Sequence, residues 1–241
     1  MTTLTRKVTV EFIGTFFLMF TVGMAAARVG SLAPLAIGAV LMVMVFAGGH
    51  ISGGHYNPAV STAVLLRGKL ARHEYLPYVG TQAVAAILAG LLIRALGYAP
   101  HAAAAVATSG RMLIVEFLFT FALAFVVLNV ATSKDTENNS YYGLAIGFTL
   151  AVGAFVGGAI SGGAYNPAVA LGASVLGMFT WSHIWIYLLA DFVGGAVAAG
   201  TFLLTQPAEA AERQVRPVQP AVEARRDGGA GPVRGVSPST S

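Results

Sequence analysis

Cysteine is absent from the 241 residues, and charged residues are scarce. The absence of cysteine excludes disulfides, thiolate metal sites and thiol nucleophiles. Charged residues make up only 10% of the chain and hydrophobic residues 56%, whereas soluble domains contain about 25% charged residues. The composition therefore predicts a membrane protein and not a water-soluble domain.

The residue patterns that support enzyme chemistry or metal binding are also missing. The five histidines, at positions 50, 55, 73, 101 and 183, show no spacing typical of a metal site, and no glycine-rich phosphate loop follows a strand pattern. The net charge of +4 comes from basic residues that are spread over loops and a tail, not gathered in a patch. We therefore expect no enzyme activity, metal, cofactor or nucleic-acid partner.

Long apolar runs are what the chain has in abundance. Six stretches are long enough to cross, or nearly cross, the roughly 30 Å hydrocarbon core of a bilayer. Because backbone polar groups in lipid must be satisfied within the segment, each stretch is predicted to be a helix. The stretches are Val8–Ala27, Leu32–Gly48, Tyr75–Leu96, Met112–Ala131, Tyr141–Gly158 and His183–Leu204.

The sequence contains an internal repeat. Val10–Phe12 returns as Val115–Phe117, an offset of 105, and Ile51–Val60 returns as Ile160–Val169, an offset of 109, with one difference at Ala164. Each unit holds three spans, so the second copy crosses in the opposite sense, and sites are expected near the midplane where the halves meet. Residues 1–205 are expected to form one membrane domain, with repeat one at about 8–96 and repeat two at about 112–204. The polar residues 206–241 are expected to be a disordered cytosolic tail.

The basic residues predict the orientation of the spans. Of the 14 lysines and arginines, Arg28, Arg94 and Arg111 fall in loops that face outward if both termini are cytosolic. The other eleven lie in segments on the cytosolic side, as the positive-inside rule requires. We therefore expect a multi-pass protein of the plasma or inner membrane with both termini in the cytosol.

Two Asn-Pro-Ala tripeptides, Asn57-Pro58-Ala59 and Asn166-Pro167-Ala168, each follow a glycine-rich stretch. Asn suits the N-cap of a helix, and Pro suits its first position, where a missing N–H costs nothing. The apolar segments Ala59–Leu66 and Ala168–Leu176 are too short to span and are predicted to be re-entrant half-helices, with their positive N-terminal ends close together at the midplane. The backbone carbonyls expected to line the path belong to Gly53, Gly54, His55, Gly162, Gly163 and Ala164.

The segment Gly49–Val60 resembles the first signature loop of the aquaporin, or major intrinsic protein, family. Glu11 and Glu116, near the start of spans one and four, and Gln82 in span three are also similar to that family. The resemblance covers residues from about 8 to 204. It implies an all-α polytopic membrane fold, an aquaporin-like inverted repeat of six transmembrane helices plus two re-entrant half-helices. It also implies one pore per subunit, a homotetramer, and a structural role for the two glutamates in bracing the loop backbones.

The chain departs from the family at the outer constriction. Carried over from the two motifs, the four selectivity-filter positions fall on Ile37, Ala154, Gly163 and Val169. Most aquaporins have an Arg where this chain has Val169, and the remaining positions match neither the water-selective nor the glycerol-channel pattern. The predicted filter is atypical, wide and apolar. A wide bore admits larger neutral solutes, while an apolar constriction can dewet and close, and widening is the effect we expect to dominate.

The function implied by the resemblance is passive transport of water and small neutral solutes, such as hydrogen peroxide, urea-sized molecules, ammonia or gases. An alternative is a poorly conducting structural or adhesion membrane protein of the same fold. A third option, an ion- or proton-coupled transporter, would need a buried titratable relay, for which Asp191 in span six is the one candidate. A protonated or paired carboxyl is the favoured interpretation of Asp191, and contact with a solute is the alternative.

Overall fold

The computed structural model describes residues 3–98 and 108–215, and this part of the chain consists of helices joined by short loops. Six of the helices are long and apolar enough to cross a membrane, so the protein is a multi-pass membrane protein. In chain order the helices are α1 (Thr3–Arg28), α2 (Ala33–Ser52), α3 (Pro58–Arg67), α4 (Arg72–Ala95), α5 (Ser109–Thr132), α6 (Tyr142–Ser161), α7 (Pro167–Leu176), α8 (Ile184–Thr205) and α9 (Pro207–Val215).

The predicted six spans are confirmed, and the two half-helices are the short helices α3 and α7. The ends differ from prediction by a few residues: α1 begins at Thr3, five residues before Val8. Hydropathy marks the part of a helix that lies in hydrocarbon, whereas the helix itself continues through Arg6 and Lys7 into the polar interface. At its other end, α2 continues to Ser52 and stops where Gly53 adopts a left-handed conformation with φ of 93°.

The two repeats, α1–α4 and α5–α8, pack as an inverted pair. Within each repeat the first helix contacts the second and the fourth, and α2 contacts α6 across the boundary between the repeats. The short helices cross over: α3 packs against α8, and α7 packs against α4. Each half-helix is therefore held by the opposite repeat, which brings their first turns into contact at the centre of the molecule.

Close approach of α2 and α6 depends on two glycines. A Cβ atom at Gly38 would lie 2.5 Å from the carbonyl oxygen of Gly147, and a Cβ atom at Gly147 would lie 2.5 Å from the carbonyl oxygen of Gly38. Span five contains two Gly-x-x-x-Gly spacings, Gly143 with Gly147 and Gly153 with Gly157. Such spacings predict close helix contact, and the structure has this contact at Gly147. The second spacing has another use, because Gly153 and Gly157 leave room for the ring of Tyr165.

The prediction of a disordered tail from residue 206 is wrong for its first part. Residues Pro207–Val215 form α9, and Glu209 is buried in an ion pair with the guanidinium of Arg67. The backbone N–H of Lys134 donates to Glu209 Oε1 at 2.7 Å. Burial raises the pKa of Glu209, but this hydrogen bond and the charge of Arg67 outweigh it and hold the pKa below its usual range. These partners lie far away in the sequence, so local composition could not predict the helix. Residues 216–241 of the predicted tail lie outside the described residues.

Candidate functional site

Each half-helix begins at the Asn of an Asn-Pro-Ala motif. The Oδ1 atom of Asn57 accepts from the backbone N–H of Ala59 at 2.8 Å and of Val60 at 3.4 Å. In the second motif Asn166 Oδ1 accepts from Ala168 at 3.0 Å and from Val169 at 3.4 Å. Pro58 and Pro167 occupy the first helical positions. The predicted N-caps are therefore present, and capping uses the side-chain oxygen and leaves the amide nitrogen available.

The amide nitrogens of the two asparagines join the repeats. Asn57 Nδ2 donates to the carbonyl oxygen of Tyr165 at 2.8 Å, and Asn166 Nδ2 donates to the carbonyl oxygen of Tyr56 at 2.9 Å. Both tyrosines have positive φ, 50° at Tyr56 and 48° at Tyr165, a conformation that costs a non-glycine residue about 1–3 kcal/mol. Each Nδ2 has a second hydrogen, so each asparagine keeps one donor for a molecule in the space between the repeats.

A buried glutamate braces the loop before each half-helix. Glu11 Oε1 accepts from the hydroxyl of Ser52 at 2.8 Å and the backbone N–H of His55 at 2.9 Å, and Oε2 accepts from the backbone N–H of Tyr56 at 2.7 Å. Gln82 Nε2 donates to the same Oε2 at 2.8 Å. Hydrogen bonds to a charged group contribute about 1.5–3 kcal/mol each, so this carboxylate fixes the extended backbone that leads to Asn57.

Glu116 repeats the arrangement in the second half. Its Oε1 accepts from the hydroxyl of Ser161 at 2.6 Å and the backbone N–H of Ala164 at 3.1 Å, and its Oε2 accepts from the backbone N–H of Tyr165 at 2.6 Å. Glu11 and Glu116 are both fully buried. Their positions fit the bracing role that the family resemblance implies.

A narrow cavity runs between the repeats beside the two asparagines. Its volume is about 20 Å³, little more than the roughly 10–15 Å³ that one water needs. The sixteen residues that line it form eight pairs related by the repeat offsets of 105 and 109. The pairs are Leu18 and Leu123, Val22 and Val127, Ile37 and Ile146, Leu41 and Leu150, Gly54 and Gly163, His55 and Ala164, Asn57 and Asn166, and Val60 and Val169.

Three of the four predicted filter residues, Ile37, Gly163 and Val169, line this cavity. Ala154 does not, although it follows Ile146 and Leu150 at four-residue spacing on α6 and so continues their face by one turn. The apolar character predicted for the filter agrees with this lining. The predicted width stays a prediction, because the cavity of about 20 Å³ lies beside the asparagines and Ala154 is not part of its lining.

A wider vestibule of about 660 Å³ adjoins the cavity on the side of Lys7, Lys69 and Glu74. Gly53 lies in its wall, and His55 lines both the vestibule and the narrow cavity. The ring of His55 is buried between Tyr78 and the hydroxyl of Ser61, which lies 3.0 Å from Nδ1. His55 is therefore both a lining residue and a loop-bracing residue. Gly162, the repeat partner of Gly53, is exposed at the opposite end.

The sequence predictions missed most of the aliphatic lining. They named Ile37 and Val169 but not the other eight Leu, Ile and Val residues of the lining, which lie on α1, α2, α5 and α6 and in the first turn of α3. The internal repeat is the signal that identifies them. Every lining residue has a partner at the offset of 105 that relates the Glu-containing segments or at the offset of 109 that relates the Asn-containing segments. The ion pair of Arg67 with Glu209 was also missed, and nothing local to either residue indicates it.

Comparisons with known proteins agree with this architecture. The family model described as major intrinsic protein matches residues 1–202. The glycerol uptake facilitator protein-like 6 of Lactiplantibacillus plantarum is 38% identical over 207 residues, covering 80% of this chain and 95% of that protein. The probable aquaporin NIP4-2 of Arabidopsis thaliana is 34% identical over 212 residues, covering 83% and 74%. The crystal structure of the aquaglyceroporin from Plasmodium falciparum superposes with a TM-score of 0.71 at 20% identity, covering 86% of this chain and 99% of that one.

Proposed function

Because this chain belongs to the major intrinsic protein family, whose members are passive channels for water or small solutes and not enzymes, we propose that the narrow cavity between the repeats is its conduction path. The observation that carries this proposal is the pairing of Asn57 and Asn166 in the cavity wall. Each asparagine caps one half-helix, is bonded to the other repeat, and retains one N–H for a permeating molecule.

The size and chemistry of the cavity favour small neutral solutes. A molecule of the size of water, ammonia or hydrogen peroxide fits a passage of about 20 Å³ with little rearrangement. A solute that enters the cavity loses its hydrogen bonds to water, and aliphatic side chains cannot replace them. The asparagine amides and the loop backbone at Gly54 and Gly163 must therefore supply the new hydrogen bonds. Urea- and glycerol-sized molecules require the leucine and isoleucine side chains to move, so we propose that they pass more slowly.

Ions are excluded by two features that do not depend on a filter arginine. An ion in this cavity would lose most of its hydration without gaining a counter-charge, and such transfers are costly. The N-terminal ends of α3 and α7 each contribute a positive charge equivalent to about half an elementary unit, which acts against cations in particular. We therefore propose a channel that conducts neutral molecules and rejects cations at its centre.

Glycerol is the second candidate solute. The relative from Lactiplantibacillus plantarum is named for glycerol uptake, and the aromatic and Arg side chains that narrow the filter of many family members are replaced here by Ile37 and Val169.

We further propose a homotetramer in the plasma or inner membrane with both termini cytosolic. The bias of basic residues supports this orientation, and the many exposed apolar side chains on the outer faces of the helices support lipid and subunit contacts.

The test is a solute panel on purified protein in lipid vesicles. Stopped-flow measurements would compare water, hydrogen peroxide, ammonia, urea and glycerol in vesicles with and without the protein. Val169→Trp should block every solute, because Val169 lines the cavity. Leu91→Trp is the matched control, because Leu91 is 48% exposed on the outer surface of α4, and it should conduct like the wild type.

Equal amounts of monodisperse protein must be compared. Wild-type permeability no higher than that of empty vesicles for every solute would favour the structural or adhesion alternative. Normal conduction by folded Val169→Trp protein would place the path elsewhere.

A further inference from the structure

Asp191 is a fully buried carboxyl on α8 whose position corresponds to Gln82 on α4. The two residues are separated by the offset of 109 that relates the Asn-Pro-Ala motifs. The register is fixed by a neighbouring pair: the hydroxyl of Tyr78 donates to the carbonyl oxygen of Ser52 at 2.7 Å, and the hydroxyl of Tyr187 donates to the carbonyl oxygen of Ser161 at 2.5 Å. Asp191 therefore stands where repeat one has an amide.

In repeat one the amide completes the bracing of the pore loop. Gln82 Nε2 donates to Glu11 Oε2 at 2.8 Å and to the hydroxyl oxygen of Ser61 at 3.0 Å. Glu11 thus has a side-chain donor from α4 in addition to the two backbone N–H groups of the loop. This contact connects α4 to the segment that ends at Asn57.

In repeat two the N–H donor of Gln82 is replaced by a carboxyl oxygen of Asp191, and an ionised Asp191 could only accept hydrogen bonds, as the Glu116 carboxylate does. Asp191 Oδ1 accepts from the hydroxyl of Thr120 at 2.9 Å, whereas Oδ2 has no hydrogen-bond partner among the described residues. The Asp191 and Glu116 side chains lie within hydrogen-bonding reach of each other, and the backbone N–H of Asn166 also faces Asp191. A buried carboxylate oxygen without a donor and beside a second carboxylate is strongly unfavourable.

One proton bound to either carboxyl group removes the unfavourable contact between Asp191 and Glu116. Within residues 3–98 and 108–215, the other titratable groups near the pair are the hydroxyls of Tyr165 and Tyr187, which supply no positive charge. Glu116 accepts from two backbone N–H groups and one serine hydroxyl, which together stabilise its ionised form. Asp191 accepts one hydrogen bond from a side-chain hydroxyl, that of Thr120, and its Oδ2 is the atom that lacks a donor. The proton therefore belongs on Asp191.

We propose that Asp191 is held as the neutral acid and donates its proton from Oδ2 to the Glu116 carboxylate. Asp191 is then a positioning residue for the loop from Gly162 to Asn166, in the role that Gln82 has in repeat one. The inference concerns the proposed conduction path, but its first test does not depend on conduction.

Infrared spectroscopy tests the protonation directly. Wild-type protein should show the C=O stretch of a protonated carboxylic acid at neutral pH, and Asp191→Asn should lose it. Gln82→Glu is the matched gain-of-function variant, because it places the same acid–carboxylate pair in repeat one, and it should add a second such band. The proposal is overturned if the wild type lacks the band or if Asp191→Asn retains it.

Water permeability tests the positioning role. Asp191→Asn keeps a donor toward Glu116 and should conduct within about twofold of the wild type. Asp191→Leu removes the donor and should conduct roughly tenfold less per folded protein, the size expected for one lost hydrogen bond to a charged group. Asp191→Leu protein that folds and conducts like the wild type would overturn the positioning role. If Asp191→Leu does not fold, the infrared comparison of the wild type, Asp191→Asn and Gln82→Glu still decides. A wild type that shows the acid band but conducts nothing would refute the proposed function and leave the protonation assignment intact.

Discussion

Replacing Asn57 by Asp should turn the neutral-solute path into a cation path. Asp is as good an N-cap as Asn, so the first turn of α3 should remain formed. The variant loses the hydrogen bond from Asn57 Nδ2 to Tyr165, which costs about 1 kcal/mol. The new carboxylate lies at the N-terminal ends of two half-helices, whose positive charge stabilises it by up to about 1 kcal/mol. The fold should therefore survive.

The magnitude of the effect follows from the position of Asn57 in the cavity wall. A cation in the passage would come within about 4 Å of the carboxylate, and at an effective dielectric constant near 20 their attraction is about 4 kcal/mol. Each 1.4 kcal/mol changes a rate about tenfold, so potassium flux should rise by about a thousandfold. Water permeability should change by no more than a few-fold.

Potassium flux and water permeability can be measured on the same vesicles at mildly alkaline pH, where the new carboxyl is ionised. Asn166→Asp should behave alike, because Asn166 occupies the repeat-related place in the same cavity. Asn57→Ser is the neutral control, since it keeps a capping oxygen and adds no charge, and its potassium flux should stay at the wild-type level. If Asn57→Asp conducts water normally but passes no more potassium than the wild type, the asparagines do not face the permeating species, and the reasoning is refuted.

Three further predictions follow from the cavity, the composition and the charge pattern. Val169→Arg should slow urea and glycerol more than water, and a guanidinium about 6 Å from an ion should lower any cation flux roughly a hundredfold. Val169→Met is the uncharged control. If urea and glycerol pass the Val169→Arg variant at the wild-type rate, Val169 does not line the constriction. Water transport should resist mercurials, because the chain has no cysteine; inhibition of the purified protein that a thiol reverses would contradict this. Protease added outside sealed cells should leave the C-terminal residues 216–241 intact, because most basic residues lie on that side; cleavage there would reverse the topology.

The sequence was sufficient for the fold because its signals are local and repeated. Six apolar runs, two Asn-Pro-Ala N-caps and a ten-residue block with one difference predict the spans, the half-helices and the inverted relation between the halves. The bracing role of Glu11 and Glu116 came from the family resemblance. An acid inside an apolar run must find donors, and the loop N–H groups are the donors that these two residues find.

The width of the passage could not be predicted because it depends on how side chains from several helices fit together. Counting from the motifs gave four filter positions, and the small residues among them predicted a wide bore. In the structure Ala154 is not among the residues that line the narrow cavity, and most of that lining consists of paired aliphatic residues such as Leu41 and Leu150, which no motif marks. The helix at Pro207–Val215 escaped prediction for a related reason, because its Glu209 pairs with Arg67, 142 residues away in the chain.

The crossed hydrogen bonds of Asn57 and Asn166 have a consequence for biosynthesis. The ribosome delivers the first repeat before the second, so α3 and the loop before it enter the membrane while Tyr165, the acceptor of the Asn57 amide, has yet to be made. Tyr56 must likewise hold its unfavourable backbone conformation without the amide of Asn166 that later bonds to its carbonyl. The first repeat therefore lacks these two hydrogen bonds until the second repeat has been synthesised. Maturation of the channel should therefore be a late and concerted event, in which both loops settle together after the last span has been inserted.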